Sequence, residues 1–237
     1  MTTRCSIYGG REPRDLPAYT IPLAARLVRI PTATLRSWVL GRSYETASEG
    51  KKRALPLIDP PTGGRGFLSF TNLVEAHVLA SMRRVHDVEL RKCRRAIHLM
   101  KNDPGVDHPL ARETFRTDGV DLFVDKLGRL INVSSNGQVA LREAIEQSLT
   151  RVFYSDGVAC RLFPITRGSQ GPDQPKLIVI DPRLAFGRPV LTGTAIPVEE
   201  IAQRFQAGDS IETLAREFGV ATELVSEALR VKILEAA

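Results

Sequence analysis

Residues 19–39 have the sequence YTIPLAARLVRIPTATLRSWV, in which two short helical patterns are separated by the turn Arg29-Ile30. The first pattern begins after Thr20, a favourable N-cap residue, and tolerates Pro22 in its first turn. Its apolar residues recur at helical spacing, namely Leu23, Ala24, Leu27 and Val28. Pro31 opens the second pattern, whose apolar residues also share one face, namely Leu35, Trp38 and Val39. The segment therefore predicts a helix-turn-helix, whose second helix typically enters the major groove of DNA.

The other face of the second helix is short, polar and free of acidic residues. Its members are Thr32, Ala33, Thr34, Arg36 and Ser37. An arginine can bind a phosphate or a guanine edge, and hydroxyl groups can bind phosphates or bases. We therefore predict DNA contacts from Thr32, Thr34, Arg36 and Ser37. A helical hairpin inside a protein core is the alternative interpretation.

A basic, glycine-rich segment follows the second helix. Arg42 comes directly after it, and the basic run Lys51-Lys52-Arg53 precedes a short apolar stretch at 55–58. A loop rich in glycine and proline separates this stretch from a second one at 67–70, and this pattern predicts a β-hairpin wing over 55–70. Arg42 and the basic run are predicted to hold the DNA backbone beside the groove. For the basic run, an ordinary solvated loop is the open alternative.

Positive charge is concentrated in the N-terminal half of a chain whose formal net charge is +6. Residues 1–105 contain 18 Lys and Arg against 9 Asp and Glu, whereas residues 106–237 contain 15 against 18. A basic half suits a polyanion such as nucleic acid, because each neutralised phosphate releases condensed counterions. A basic surface that only increases solubility is the alternative.

Two further helices are predicted after the wing, the first capped by Thr71 and the second spanning 89–101. The order of helix-turn-helix, wing and helices, with the motifs TLRSW and FLSFTNLVEAHVLASMRRVHDVELRKCRRAI, resembles the DNA-binding domain of MerR-type regulators over residues 19–101. The resemblance implies a wing at 55–70 and DNA contacts from Thr34, Arg36 and Arg42. The long dimerising coiled coil of that family does not carry over, because Asp103-Pro104-Gly105 ends the helix.

The second half of the chain contains alternating strand and helix patterns. Hairpins are predicted over 120–133 and 151–163, and an amphipathic helix over 138–149. A strand pattern at 176–182 precedes three amphipathic segments, Val198–Gln206, Ser210–Phe218 and Thr222–Lys232, which are spaced like a second helix-turn-helix. Residues 196–237 contain 4 basic against 8 acidic residues, and Glu223 and Glu227 are predicted to face outward. These charges favour a protein partner over DNA for this unit.

The stretch IDPRLAFGRPVLTGTAIPVEEIAQRF, at 180–205, resembles the small domain of unknown function found in bacterial antitoxins that pair with PIN-type toxins. The matching positions are Gly187, Pro189, Gly193, Thr194, Ile196 and Pro197, whereas Ala195 stands where that family usually has arginine. The two resemblances together identify the chain as similar to VapB-class antitoxins of type II VapBC pairs. They imply an antitoxin that neutralises a PIN-type ribonuclease and represses the shared operon by binding operator DNA.

A PIN-type ribonuclease has an acidic metal-binding active site, which an arginine of the antitoxin could block. Arg183 and Arg188 lie within the matched hairpin and are the predicted toxin-binding residues, with Arg188 preferred. A local ion pair between Arg188 and a neighbouring acid is the alternative.

No enzyme motif is found in the sequence. The four histidines form no spaced metal-binding set, Cys93 and His98 are five residues apart, and His77 lies on an apolar face typical of a core histidine. We therefore expect no catalytic residue, metal or cofactor, and we give a hydrolase in the C-terminal part little weight. The scattered cysteines and the lack of a secretory signal or membrane-length apolar run predict a protein of the bacterial cytoplasm, with no membrane partner.

The predicted fold class is α+β, with an N-terminal winged helix-turn-helix and a C-terminal lobe of β-hairpins and three helices. The predicted divisions are a flexible arm at 1–18, a DNA-binding domain at 19–105, a connecting and dimerising region at 106–175 and an antitoxin-type domain at 176–237. A homodimer is expected, because operators are usually read by two-fold dimers. The alternative function is a MerR-like regulator that senses a small molecule and has no toxin partner.

Overall fold

The helix-turn-helix forms where the sequence predicts it, as α1 (Ile21–Leu27) and α2 (Thr32–Leu40). The computed structural model describes residues 8, 10–46, 50–64, 66–85, 90–101, 107–131, 135–166 and 174–236. The Thr20 hydroxyl caps α1 by accepting a hydrogen bond from the Leu23 backbone nitrogen at 3.3 Å. Arg29 reverses the chain between the helices with a φ of 57°. The predicted inward residues of α2, Leu35, Trp38 and Val39, are all buried.

The wing predicted at 55–70 is wrong, because the chain forms its hairpin earlier. β2 (Arg42–Thr46) and β3 (Gly50–Ala54) pair antiparallel directly after α2, and we call this hairpin the ribbon. The following segment cannot pair as a strand, because the backbone nitrogens of the buried Leu57 and Ile58 both donate to the Trp38 carbonyl. β4 (Phe67–Leu68) instead pairs with β1 (Tyr19–Thr20), which precedes α1.

The helix after β4 is α3 (Phe70–Arg83), and its N-cap, Ser69, lies two positions before the predicted cap Thr71. Ser69 caps it, because the Ser69 hydroxyl and the Asn72 side chain form reciprocal backbone hydrogen bonds, each of 3.1 Å. Thr71 lies inside the helix, and its hydroxyl donates instead to the Asp15 carboxylate at 2.7 Å. The described part of the predicted arm, residue 8 and residues 10–18, therefore includes a segment held against α3.

The next helices are α4 (Leu90–Lys101), α5 (Val120–Ile131) and α6 (Ser135–Leu149). The hairpin predicted over 120–133 is wrong, since α5 spans most of it. Val120, Phe123 and Val124 are buried at the i, i+3, i+4 spacing of a helix face, whereas Leu122 is 47% exposed. Helix α6 confirms the amphipathic segment predicted at 138–149.

The second predicted hairpin is confirmed as β5 (Val152–Ser155) and β6 (Val158–Leu162). Asp156 and Gly157 have φ values of 55° and 76°, as a type I′ turn requires at both central positions. Helices α5 and α6 and the turn Pro109–Ala111 pack with α3 and α4 around one apolar core that extends from Tyr19 to Leu162 and Ile180.

The C-terminal part consists of a two-stranded hairpin and the three predicted helices. The strands are β7 (Ile178–Val179) and β8 (Val190–Leu191), and the helices are α7 (Val198–Gln206), α8 (Ile211–Phe218) and α9 (Thr222–Ala236). They surround a second apolar core, which includes Ile201, Leu214 and Val225. One prediction fails here, because Glu227 is 1% exposed and bonds the Thr166 hydroxyl, although Glu223 is exposed as expected.

The two cores are joined by backbone pairing and by packing. Leu162 and Ile180 exchange hydrogen bonds of 2.9 and 2.8 Å, and α1 packs against α9. The buried Arg151 guanidinium donates to backbone carbonyls that follow β6 and that precede β7, among them Phe163 at 2.7 Å and Pro175 at 3.3 Å. The predicted α+β fold class, with an N-terminal helix-turn-helix, is therefore confirmed.

Candidate functional site

The exposed face of α2 is the surface on which the predicted DNA contacts lie. The Arg36 side chain is exposed, and Thr32, Thr34 and Ser37 are half-buried beside it. The Ser37 hydroxyl donates to the Thr34 carbonyl at 2.7 Å, so its proton is already used within the helix. Arg36 is therefore the residue of this face that is best placed to donate hydrogen bonds to a ligand.

Arg83, which the sequence reasoning missed, lies beside α2. Its guanidinium donates a hydrogen bond to the Thr34 hydroxyl, although 49 positions separate the two residues. The arginine is exposed in the last turn of α3, and α3 packs so that this turn reaches the second helix of the motif. No local sequence pattern could have revealed this contact, because it depends on tertiary packing alone.

More positive charge is found at the turn between α1 and α2. The Arg84 guanidinium donates to the Val28 carbonyl at 3.3 Å. Burial lowers the pKa of Arg84, and the positive charge of Arg29 nearby lowers it further. Arg29 and Arg84 therefore place two cationic groups close together at the turn of the helix-turn-helix.

The ribbon begins immediately at the end of α2 because Gly41 has no side chain. Its φ of 76° and ψ of −179° are accessible almost only to glycine, and an added Cβ would lie 2.5 Å from the Ala54 carbonyl oxygen. Arg42 is exposed at the first position of β2. Lys51, Lys52 and Arg53 lie on β3, opposite Glu45, Tyr44 and Ser43 in the backbone register. The residues predicted to bind the DNA backbone thus lie on the ribbon and not in the wing predicted at 55–70.

Arg183 and Arg188, the predicted toxin-binding residues, flank a short turn between β7 and β8. Both side chains are exposed. The Arg188 Nε donates to the Ala185 carbonyl at 3.2 Å, and the Arg183 guanidinium lies 3.9 Å from the Glu12 carboxylate. The described structure therefore gives Arg188 a carbonyl partner in its own turn.

Of the three histidines that the structure describes, His77 and His108 have structural partners, whereas the buried His98 Nε2 has no hydrogen-bond partner among the described residues. His77 is buried, its Nε2 lies 3.0 Å from the Ser148 carbonyl, and burial lowers its pKa to about 4, as expected of a core histidine. The His108 Nδ1 lies 2.9 Å from the buried Glu75 carboxylate, and this hydrogen bond raises the pKa of His108. Among the described side chains no group of three or more could hold a metal ion. The Cys93 side chain and His86 lie outside the described residues.

A cavity of about 560 Å³ opens between the described N-terminal residues and the rest of the first core. Charged residues line it, among them Arg11, Arg14, Asp15, His108 and Arg112. Its volume lies within the range of small-molecule sites. Among the described residues, no helix has both the length and the apolar character needed to cross a membrane.

Two family models match separate parts of the chain. Residues 17–97 match a family described as putative DNA-binding HTH domain, and residues 178–230 match a family described as protein of unknown function, DUF433. The first match covers the helix-turn-helix, the ribbon and α3, and the second covers β7 to most of α9. The two matches therefore fall on the two segments for which the sequence shows a family resemblance.

Similar proteins are known from Mycobacterium tuberculosis. The chain is 28% identical to the putative antitoxin VapB45 over 91% of this chain and 93% of that protein, and 25% identical to the uncharacterized protein Rv2308 over 91% and 90%. The crystal structure of Rv2018 matches the fold with a TM-score of 0.68 at 24% identity, covering 91% of this chain and 98% of that chain. The resemblance to VapB-class antitoxins is thereby confirmed, with the match to a putative DNA-binding helix-turn-helix family in the N-terminal part and the match to the DUF433 family in the C-terminal part.

Proposed function

We propose that the chain is a non-enzymatic bacterial antitoxin that binds operator DNA through α2 and the ribbon and neutralises a PIN-type ribonuclease through its C-terminal domain. The single observation that carries the DNA-binding half is the acid-free, exposed face of α2 with Arg36 at its centre and Arg83 beside it. The order of helix-turn-helix, ribbon and helices supports a MerR-like mode, in which α2 enters the major groove and Lys51, Lys52 and Arg53 contact phosphate.

The toxin-neutralising half rests on the match to the DUF433 family and on the similarity to a protein named as a VapB antitoxin. In this proposal the hairpin at 181–197 and the helices after it dock on the ribonuclease, and Arg188, with Arg183 nearby, pairs with the carboxylates of its active site. Because the two proposed partners, operator DNA and a ribonuclease, act inside the cell, we expect the protein to act in the bacterial cytoplasm.

One experiment tests both halves. The full-length chain is co-expressed with the product of the neighbouring gene, and the purified material is assayed for ribonuclease inhibition and for binding to the DNA upstream of the gene pair. We expect a stable complex, an inhibited ribonuclease and specific DNA binding. A chain that binds the upstream DNA but leaves an active neighbouring ribonuclease uninhibited would contradict the antitoxin proposal and leave the DNA-binding one.

We also propose that the protein acts as a homodimer, since a two-fold operator needs two helix-turn-helix units. Exposed apolar side chains on three helices that pack in succession support a dimer surface in the region after residue 90. They are Leu99 on α4, Leu122 on α5 and Val139 on α6.

The second candidate function, a regulator that senses a small molecule and has no toxin partner, is favoured by the cavity of about 560 Å³. The neighbouring gene distinguishes the two candidates. A short acidic PIN-like protein encoded there supports the antitoxin, whereas its absence, together with a metabolite that changes DNA affinity, supports the sensor.

A further inference from the structure

Phe186 is the most exposed large apolar side chain among the described residues, at 69%. It lies at the tip of the turn between β7 and β8, with Arg183 and Arg188 on either side in the sequence. An aromatic ring flanked by arginines has the composition that dominates the energetics of protein interfaces. Exposure alone does not define a site, but the backbone of this turn gives independent evidence.

The backbone holds Phe186 in a conformation that such a residue rarely adopts. Ala185 and Phe186 have φ values of 45° and 57°, so two consecutive residues with side chains occupy the left-handed region. This region is unfavourable for residues other than glycine, asparagine and aspartate. Strain of this kind persists where the surrounding structure imposes it, and it is concentrated at functional sites.

The turn is fixed by Tyr19, the first residue of β1. The buried Tyr19 hydroxyl donates to the Gly187 carbonyl at 2.7 Å, and an added Cβ at Gly187 would overlap with the Tyr19 hydroxyl. The Gly187 backbone nitrogen also bonds the Leu184 carbonyl at 2.9 Å. These contacts hold the strained turn rigidly, so the Phe186 ring is presented with little freedom left to lose on binding.

A shallow groove of about 400 Å³ adjoins the ring, and the N-terminal residues Tyr8 and Arg11 form part of its lining. The Tyr8 ring meets the Phe186 ring edge-on at 6.3 Å, and the Tyr8 hydroxyl donates to the Pro182 carbonyl at 3.2 Å. We call Tyr8, Arg11, Arg183, Phe186 and Arg188 the Phe186 surface.

The charge of the Phe186 surface is positive, because its three arginines outnumber the nearest acids, Glu12 and Asp181, and both acids also have cationic partners outside the surface. Glu12 is paired with Arg14 at 2.6 Å and lies 3.9 Å from Arg183, and the buried Asp181 is paired with Arg161 at 3.1 Å. Three arginines therefore belong to the surface that presents the exposed aromatic ring. The matching partner is an acidic protein surface with an apolar notch for the ring. A second copy of a chain with net charge +6 matches less well.

We propose that the Phe186 surface is the docking site for the acidic ribonuclease partner, with Phe186 as its apolar anchor and the N-terminal residues as part of the contact. This inference rests on the proposed antitoxin function and adds the anchor and the participation of Tyr8 and Arg11. It also implies that the C-terminal domain without the N-terminal residues presents an incomplete surface.

The test compares full-length variants for affinity to the purified ribonuclease encoded beside the gene, measured by titration calorimetry. Phe186→Gly removes the ring but suits the left-handed backbone, so we expect a melting temperature at or above that of the wild type and an affinity reduced at least about 30-fold. Phe67→Ala, which removes another exposed ring that lies outside the C-terminal domain, is the control and should bind like the wild type.

The outcomes separate this inference from the function on which it rests. A wild-type chain that does not bind the ribonuclease overturns both. Wild-type binding with Phe186→Gly within about threefold of the wild type overturns the anchor and leaves the antitoxin function. If Phe186→Gly changes only the self-association of the chain in sedimentation, the surface is an interface between copies and the inference is wrong.

Discussion

At the scale of single residues, Gly41 and His77 show how local chemistry supports the proposed DNA-binding surface. Gly41 lets the ribbon start immediately after the end of α2, so Arg36 and the basic strand β3 belong to one short segment of the chain. His77 connects α3, which carries Arg83, to α6 through the Ser148 carbonyl. Gly41 allows the ribbon to begin where it does because it has no side chain, and His77 holds α3 against α6 through a buried hydrogen bond.

Replacing Gly41 by alanine should destabilise the protein by about 3 kcal/mol and weaken DNA binding, because the new Cβ meets the Ala54 carbonyl in a backbone region that alanine avoids. Urea unfolding measures the first effect and a gel-shift titration the second. Gly63→Ala is the matched control, since Gly63 also has a positive φ but open space around it, and it should cost about 1 kcal/mol. Equal costs at the two positions would show that the clash with Ala54 does not matter.

His77 predicts a pH dependence of stability. Its pKa is lowered to about 4 in the folded protein, whereas the unfolded chain has a value near 6.5, so the unfolded state binds more protons between these values. Stability should therefore fall by about 1.4 kcal/mol per pH unit as the pH decreases below 6.5. Between pH 7.5 and pH 5.5 the unfolding free energy of the wild type should fall more than that of His77→Gln, which lacks the titrating group, as measured at pH 7.5, 6.5 and 5.5. Parallel curves would mean that His77 keeps its ordinary pKa in the fold.

At the scale of elements, the sequence predicted the helices whose apolar residues recur at helical spacing, whereas it misassigned α5 and missed the ribbon. Helices α1, α2 and α6 carry apolar residues at helical spacing, and the structure confirms them. Residues 120–131 contain two apolar clusters around a polar, glycine-containing centre, and this pattern is typical of a hairpin. In the folded protein the segment is a helix, because Phe123 and Val124 are buried together on one helix face. The ribbon has few apolar residues, so the alternation that marks a half-buried strand is absent.

Only part of the candidate site could be predicted from the sequence. Arg36 follows from the position of α2, because the inward residues of a helix fix its outward ones. Arg83 beside Thr34 and Tyr8 beside Phe186 depend on contacts across 49 and 178 positions, which no local pattern contains. Phe186 is exposed on a left-handed backbone that residues with side chains disfavour, so the conformational preference of phenylalanine would not predict the observed turn.

The ribbon predicts a salt-dependent contribution to DNA binding. If Lys51, Lys52 and Arg53 contact phosphates, replacing all three by alanine should weaken binding to all sequences evenly and reduce the salt slope by up to about 2.7. Titrations at several salt concentrations measure this slope. Replacement of three exposed arginines of the second half, Arg116, Arg142 and Arg216, is the control that removes the same charge elsewhere. A slope that changes equally in both triple variants would assign the effect to net charge alone.

At the scale of the whole molecule, the two cores form one connected structure. Helix α3 is buried along nearly its whole length because elements after residue 106 cover it, and α1 contacts α9. The Tyr19 hydroxyl further connects β1 to the turn that presents Phe186. The full-length chain is therefore the proper material for binding experiments, since fragments would expose apolar faces that are buried in the intact protein.

The proposed dimer surface predicts the assembly state. Sedimentation velocity of the full-length chain at micromolar concentration should give a dimer, and the double variant Leu122→Ser with Val139→Ser should shift it towards the monomer, because both side chains are exposed on neighbouring helices. Leu55→Ser, at a position equally exposed but outside these helices, should remain dimeric. A wild-type monomer would contradict the homodimer, and a dimeric double variant would place the interface elsewhere.

The central claim is that α2 reads operator DNA through Arg36. The most direct measurement compares the affinity of the wild type, Arg36→Ala and Arg216→Ala for the upstream DNA and for a scrambled duplex of equal length, at one salt concentration. We predict a loss of about 1–3 kcal/mol for Arg36→Ala on the upstream DNA, a smaller loss on the scrambled duplex, and little change for Arg216→Ala. An Arg36→Ala protein with the affinity and sequence preference of the wild type would contradict this claim.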